Sequence, residues 1–260
     1  MPHTIKSDNI NNTFFQGYYK EVWRHVFPEK TTQVETEFII EAAGLTEGSH
    51  VLDLMCGYGR HSIELGKKGV NVVAIDNLRD YVEEINLEVG KTGLPVNAIC
   101  VDVLDLRMEQ KFDAVICMGN SLQFFNETDI SLLLLSTAKH LKSGGKFIIN
   151  SWSIAEIVFK NFKEKSWGKI GDLMLLTDCK LLLQPTRIET NTIIITETGE
   201  REEKPAIDYI YTLSELERLF NKAGLQFKNI YSVPGKKQFT IGDPRVYLVA
   251  EKSLVKKSES

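Results

Sequence analysis

The feature that most restricts this chain is the run Val51-Leu52-Asp53-Leu54-Met55-Cys56-Gly57-Tyr58-Gly59-Arg60, in which an apolar stretch of strand length passes directly into a Gly-x-Gly turn and then a helical pattern. Glycines in such a turn have no Cβ to hold a ligand away from the backbone, and the helix that follows opens with N–H groups that have no partner within it. Gly57-x-Gly59 alone is as compatible with a plain strand-to-helix turn as with a ligand site. The rest of the pattern decides.

Four further runs have strand length and are rich in β-branched residues: Val72-Val73-Ala74-Ile75, Val96 to Val101, Phe112 to Cys117 and Lys146 to Asn150. Helical patterns lie between them. Tyr81, Ile85 and Val89 recur every four residues, and Asn126 with Asp129 caps a helix that runs to Leu141 before Gly144-Gly145. Five strands alternating with helices predict a parallel, doubly wound α/β sheet. Thr32 and Glu35 have the spacing of a capping box for a helix closed by Gly44, and Thr212 and Glu215 of another ending at Gly224. Phe15, Tyr19, Val22 and Val26 share one helical face ahead of Pro28. Between the fifth strand and the last helix, residues 173 to 211 carry β-rich runs with a turn at Gly199, which predicts a small antiparallel insertion. Leu225 to Val233 and Val246 to Ala250 predict two final strands close enough to pair.

Composition narrows the function. Thirty-one basic against 35 acidic residues give a net charge of -4, so there is no surplus of Lys and Arg to offset a phosphate backbone, and nucleic acid is not an expected partner. Apolar runs such as Leu132 to Leu135 are far shorter than the ~20 residues a bilayer crossing needs, and no membrane partner is expected. The opening Met1-Pro2-His3-Thr4-Ile5-Lys6 has no apolar core of a secretory signal, which makes the expectation cytoplasmic. Cys56, Cys100, Cys117 and Cys179 are scattered, with neither a disulfide framework nor a metal site in their spacing. The polar tail Lys256 to Ser260 is expected to fray.

Three carboxylates stand at strand ends around the glycine turn: Asp53 four residues before Gly57, Asp76 nineteen after it, and Asp102 at the end of the third strand. A carboxylate ending the second strand suits the two hydroxyls of a ribose. Asp53 beside the turn would be badly placed next to a pyrophosphate but suits an ammonium, and Asp102 can accept from an adenine amine. Together they describe a cationic amino-acid nucleoside rather than a dinucleotide.

The chain here resembles the class I S-adenosylmethionine (SAM)-dependent methyltransferases over roughly Phe14 to Lys252. Asp53-Leu54-Met55-Cys56-Gly57-Tyr58-Gly59 is similar to the family's first motif, Asp76 to the second, Asp102-Val103 to the third, Phe112 to Cys117 to its fourth strand, and Leu141-Lys142-Ser143-Gly144-Gly145 to the turn into the fifth. A narrower likeness, to small-molecule N-methyltransferases of the glycine and amino-sugar type, rests on Phe15-Gln16-Gly17, Val22-Trp23 and the β insertion. The resemblance implies a Rossmann-like, doubly wound seven-stranded sheet with the last strand antiparallel, an N-terminal helical lid (1–30), a core (31–165), an insertion (166–211) and a C-terminal return to the sheet (212–260).

It also implies SAM as cofactor and S-adenosylhomocysteine as product, bound by Asp53, Met55, Cys56, Gly57, Gly59, Asp76, Asn77, Asp102, Val103, Met118 and Gly119, with Trp23 closing over them. The small-molecule acceptor, expected to be an amine, would meet Tyr19, Asn120, Tyr209, Tyr211 and Arg245. The basic residue that often anchors the cofactor carboxylate is replaced by Thr31 or Gln33, which leaves Lys30 or Arg60 to substitute. Met118-Gly119-Asn120-Ser121 lacks the two prolines that base-methylating relatives carry after an Asn or Asp, which agrees with the charge argument. No dedicated acid–base pair stands out; His61 reads as a surface residue at a helix start, and His140 as an imidazole suited to a helix C-terminus. The expected assembly is a monomer or homodimer. An NAD-dependent oxidoreductase and a non-catalytic SAM-binding sensor are the alternative readings.

Overall fold

The computed structural model describes residues 9–253, so the expected fraying of Lys256 to Ser260 and the signal reading of Met1 to Lys6 lie outside the described residues. The chain divides into two compact units. The larger spans Pro28–Asn161 and Ile210–Ser260, and the smaller combines the chain up to Phe27 with Phe162–Tyr209.

The larger unit is built on one sheet. Its strands are β1 (His50–Leu54), β2 (Asn71–Asp76), β3 (Val96–Cys100), β4 (Phe112–Cys117), β5 (Leu141–Ser151), β10 (Leu225–Val233), β11 (Lys237–Gln238) and β12 (Val246–Lys252), in the order β11-β10-β12-β5-β4-β1-β2-β3. β1 to β5 run parallel, and β12 inserts antiparallel between β5 and β10. The helices are α2 (Glu29–Ala43), α3 (Arg60–Lys67), α4 (Arg79–Thr92), α5 (Glu127–His140), α6 (Ala155–Asn161) and α7 (Leu213–Lys222). The strands read as near-continuous apolar runs because both faces are covered: Leu52, Ile75, Ile116, Ile148 and Leu248 are fully buried. From β1 the chain steps outward to β2 and β3, then returns to the other side of β1 for β4 and β5. That reversal opens a crevice at the carboxyl ends of β1 and β4, where ligands of open α/β sheets bind.

Three expectations are corrected here. The sheet has eight strands, not seven, because the loop of the expected C-terminal hairpin folds back as the two-residue β11, too short to leave a pattern. The Thr32/Glu35 capping box does not form. α2 starts one turn earlier, after Pro28, and Glu35 is drawn into the interior instead. The Thr212/Glu215 box does form, and Asn126 caps α5 by accepting from the Thr128 and Asp129 N–H groups. Tyr211 was expected on the insertion but belongs to the larger unit. It is 8% exposed and its hydroxyl donates to the Phe125 carbonyl at 2.8 Å.

The smaller unit is a four-stranded antiparallel sheet, β6 (Lys165–Ile170), β7 (Leu173–Leu183), β8 (Thr186–Ile195) and β9 (Arg201–Tyr209), with the N-terminal segment packed onto it. The β-rich stretch expected from residue 173 opens with one unbroken strand, β7, and β6 ahead of it was not expected. The N-terminal segment is a 3-10 turn at Ile10–Thr13 followed by α1 (Tyr19–Val26), interrupted at Gly17, whose φ of 64° and contact with the Glu202 carboxylate leave no room for a side chain. Asn11 fixes it to the sheet edge as a strand would. Its Nδ2 donates to the Ile207 carbonyl at 2.8 Å and its Oδ1 accepts the Ile207 N–H at 2.9 Å. Phe14, Phe15, Tyr19, Trp23 and Phe27 form a run of ring contacts, Phe15 to Trp23 at 5.2 Å and Trp23 to Phe27 at 4.9 Å. Asn11→Ala leaves both Ile207 groups without their partner, at a cost of about 1–3 kcal/mol. The N-terminal segment should then become the first site of limited proteolysis, while an unchanged cleavage pattern would mean that the ring cluster alone holds it.

Candidate active site

β1 ends in an irregular turn. Met55 takes φ 54°, a conformation a side chain adopts only under constraint, and Gly57 and Gly59 follow at 56° and 78°. A Cβ at Gly59 would strike Ile85 of α4 at 2.7 Å, so this glycine is required for the close packing of α3 as well as for the turn. Asp76 at the end of β2 holds the loop in place. One carboxylate oxygen accepts the Gly57 N–H at 2.8 Å and the other the Leu78 N–H at 2.9 Å. Burial raises its pKa, opposed by those backbone donors.

Asp53 is the most unusual group in the crevice. It is 2% exposed, and it accepts from the Ser62 hydroxyl at 2.6 Å. Burial pushes its pKa up to about 7, with Asp76 adding to the rise and Ser62 and Arg60 opposing it. A carboxyl that costs free energy to ionise in the empty protein is a place for a cation. Asp102, at the carboxyl end of β3, accepts the Leu104 N–H at 2.9 Å and caps a short 3-10 turn that begins with the buried Val103. Asn77 is exposed beside Asp76, and Cys56 follows Met55 half-buried. Every expected cofactor residue of the larger unit therefore lies at the carboxyl ends of β1, β2, β3 or β4.

At the β4 exit Met118 and Gly119 are buried, and Asn120 sits in the left-handed region at φ 67°. The Asn120 amide is engaged within the chain: Oδ1 accepts from the Ser151 hydroxyl at 2.7 Å and from the Trp152 and Ser153 N–H groups, and Nδ2 donates to the Ser153 hydroxyl. Contact with an acceptor would come at the expense of these bonds. Arg245, 29% exposed, stacks its guanidinium 5.0 Å over the Trp152 ring at the start of β12. Tyr19, Trp23 and Tyr209 belong to the smaller unit.

Arg60, one of the two residues left to anchor the cofactor carboxylate, is engaged by the protein through one of its guanidinium nitrogens. Its Nη1 is 2.6 Å from the buried carboxylate of Glu35 and 3.1 Å from the Thr32 hydroxyl. Sequence reasoning missed Glu35. Its spacing from Thr32 suggested a cap, and only the neighbouring Arg60-His61 pair hinted that a buried acid was needed. Among the described residues no group of three or more His, Cys, Asp or Glu could hold a metal ion, and no helix is long and apolar enough to cross a membrane.

Comparison with known proteins agrees with this geometry. Residues 51–145, from β1 to the turn within β5, match a family model described as a methyltransferase domain. The chain is 26% identical over 162 residues to a glycine/sarcosine N-methyltransferase from Aphanothece halophytica, covering 61% of each, and 29% identical over 126 residues to a ubiquinone biosynthesis O-methyltransferase from Rickettsia prowazekii (strain Madrid E), covering 47% of this chain and 49% of the relative. It thus spans about half to three-fifths of the length of these relatives. A SAM-dependent methyltransferase from Clostridium acetobutylicum ATCC 824 superposes with a TM-score of 0.78 at 19% identity, over 90% of this chain and 96% of that one. A SAM-bound amino pentose methyltransferase from Micromonospora echinaspora gives 0.66 at 15% identity, over 92% and 98%. The fold is that of the SAM-dependent methyltransferases, and residues 51–145 match their methyltransferase domain model. The cofactor of that class is SAM, and the acceptors Asp53, Asp76 and Asp102 beside the glycine turn fit its ammonium, ribose hydroxyls and adenine amine.

Proposed function

We propose that the protein transfers the methyl group of SAM to the nitrogen of a small-molecule amine. The observation that carries the reading is the set of three carboxylates at successive strand ends around the glycine turn, with Asp53 buried and poised near neutrality. Asp53 would hold the cofactor ammonium, Asp76 the ribose hydroxyls, Asp102 and Val103 the adenine, and Met118 and Gly119 the β4 side. When bound, SAM supplies a methyl group already activated on a sulfonium. What remains for the chain is orientation and exclusion of water, and fixing a nucleophile at near-attack distance can supply up to ~7–11 kcal/mol of the barrier.

An amine is favoured over a hydroxyl by the state of His61, the imidazole next to the turn. It is 4% exposed and bonded to Glu35, and burial and Arg60 lower its pKa to about 4, with Glu35 opposing. So placed, it is held in the interior and is not a base for a substrate. An amine can lose its own proton to water. The amine-methylating relative and the amino pentose enzyme are consistent with this, although an O-methyltransferase is also among the relatives. Trp23 is proposed as a cofactor contact on the strength of the resemblance, and Tyr19, Tyr209 and Arg245 as acceptor contacts.

The pH–rate profile tests the reading. With an amine acceptor, kcat/KM should rise tenfold per pH unit up to the pKa of that amine and shift when a less basic amine is used, because the substrate carries the titrating proton. A profile that ignores amine pKa, or one abolished by His61→Gln without loss of cofactor binding, would refute a base-free transfer to nitrogen.

A further inference from the structure

Glu35 gathers four hydrogen-bond donors and a second, more distant guanidinium onto one carboxylate that is 1% exposed. Its Oε2 accepts from Arg60 Nη1 at 2.6 Å and His61 Nε2 at 3.0 Å. Its Oε1 accepts from the Tyr247 hydroxyl at 2.8 Å and Asn150 Nδ2 at 3.1 Å, with Arg245 Nη1 at 3.5 Å. Burial alone would push this carboxyl up, but His61, the Arg60 guanidinium and the Tyr247 hydroxyl hold it down to about 2. It is ionised at neutral pH, and neutral His61 donates through Nε2.

The donors come from different parts of the larger unit and reach two places. Arg60 and His61 are the first two residues of α3, directly after Gly59, so this arm fixes where the glycine turn enters the helix. Asn150, fully buried on β5, forms the other arm. It donates to Glu35 through Nδ2, and its Oδ1 accepts the Gly119 N–H at 2.6 Å and faces the Asn120 N–H at 3.4 Å. Neither segment touches the other directly through these bonds. They are brought into one frame by a single side chain on α2, and they are the two segments that bound the crevice.

We propose that Glu35 is a positioning residue, setting the glycine turn at β1 and the Gly119-Asn120 exit of β4 in register for the cofactor. This rests on the cofactor assignment above. Burying a charge that apolar residues could replace is poor economy for stability, since a well-packed apolar core does as well or better. Four directed hydrogen bonds to one carboxylate do, however, specify one arrangement, because any displacement of either arm leaves a buried charge or donor unsatisfied.

Glu35→Gln keeps the shape but turns one acceptor oxygen into a donor, which must face donors whichever way the amide is flipped. Two readouts decide: calorimetric affinity for S-adenosylhomocysteine, and hydrogen exchange at the Gly57 and Gly119 amides of the ligand-free protein. Leu219→Ala, a cavity in the α7 face with a comparable loss of melting temperature, serves as control. At a temperature where all variants are folded, Glu35→Gln should bind at least tenfold more weakly and exchange at least tenfold faster at both amides, while the control binds and exchanges there like the parent. If Glu35→Gln does not fold, Asn150→Ala cuts one arm only and should speed exchange at Gly119 but not at Gly57. Parent-like binding by a folded Glu35→Gln, or unchanged exchange at these amides, would overturn the proposal. Failure of the parent itself to bind S-adenosylhomocysteine would overturn the cofactor reading instead, and the exchange data would still decide the role of Glu35.

Discussion

Asp76→Ala should weaken S-adenosylhomocysteine binding by about 30- to 150-fold, the equivalent of losing ~2–3 kcal/mol of charge-assisted hydrogen bonding to two ribose hydroxyls. The same change removes the acceptor for the Gly57 and Leu78 N–H groups, which relaxes the turn and pushes the effect toward the upper end. Asp76→Asn retains one acceptor oxygen and should fall between the two. The variant must be shown to be folded, by its circular dichroism and melting transition, before its affinity is read. A folded Asp76→Ala protein that binds as tightly as the parent would mean that the ligand lies elsewhere than beside β2.

The pH dependence conferred by Asp53 should be as large, and its sign can be worked out. In the unliganded protein the carboxyl titrates near 7, against 3.8 as the ordinary value, so between those pH values the folded state holds a proton that the unfolded chain has lost. The stability contribution of this group therefore falls as pH rises through that window, by ~4 kcal/mol at most at 1.36 kcal/mol per pKa unit. A ligand ammonium reverses the balance by favouring the carboxylate. Affinity for S-adenosylhomocysteine should consequently rise close to tenfold per pH unit from pH 5.5 to 7 and level off above, until the amine of the ligand itself begins to lose its proton. Asp53→Asn should abolish this slope, weaken binding at pH 8 by about 10- to 100-fold, and raise the melting temperature of the unliganded protein relative to the parent at that pH. An affinity that is flat with pH in the parent would place the ammonium away from Asp53.

How far the sequence went depended on whether a structure is set by local or distant partners. The doubly wound sheet was legible because β1, β2 and β4 are largely buried, mostly apolar runs and are punctuated by helices with readable ends such as Asn126 and Gly44. The acids Asp53, Asp76 and Asp102 were legible because they sit at strand ends, a position the apolar pattern itself marks. β11 was not, because two residues leave no periodicity, and β6 was not, because Lys165-Ser166-Trp167-Gly168-Lys169-Ile170 is a largely exposed edge strand with neither an apolar run nor an apolar–polar alternation. The capping-box reading of Thr32 and Glu35 failed for a different reason. The spacing is real, but a buried guanidinium at 2.6 Å outcompetes a backbone N–H for the carboxylate, and nothing near Glu35 in the sequence announces Arg60, Asn150 and Tyr247. The bonds of Tyr211 to Phe125 and of Asn11 to Ile207, 86 and 196 residues apart, are of the same kind.

The most direct test of the account follows a labelled methyl group. The protein is incubated at pH 8 with SAM carrying a deuterated methyl and a mixed pool of small amines and hydroxylated metabolites, and both products are read by mass spectrometry. The account predicts S-adenosylhomocysteine formed in equal amount with one or more acceptors that have gained the intact labelled methyl on nitrogen, and loss of both signals in Asp76→Ala. Label appearing only on oxygen, or SAM bound with no S-adenosylhomocysteine formed from any member of the pool, would contradict it.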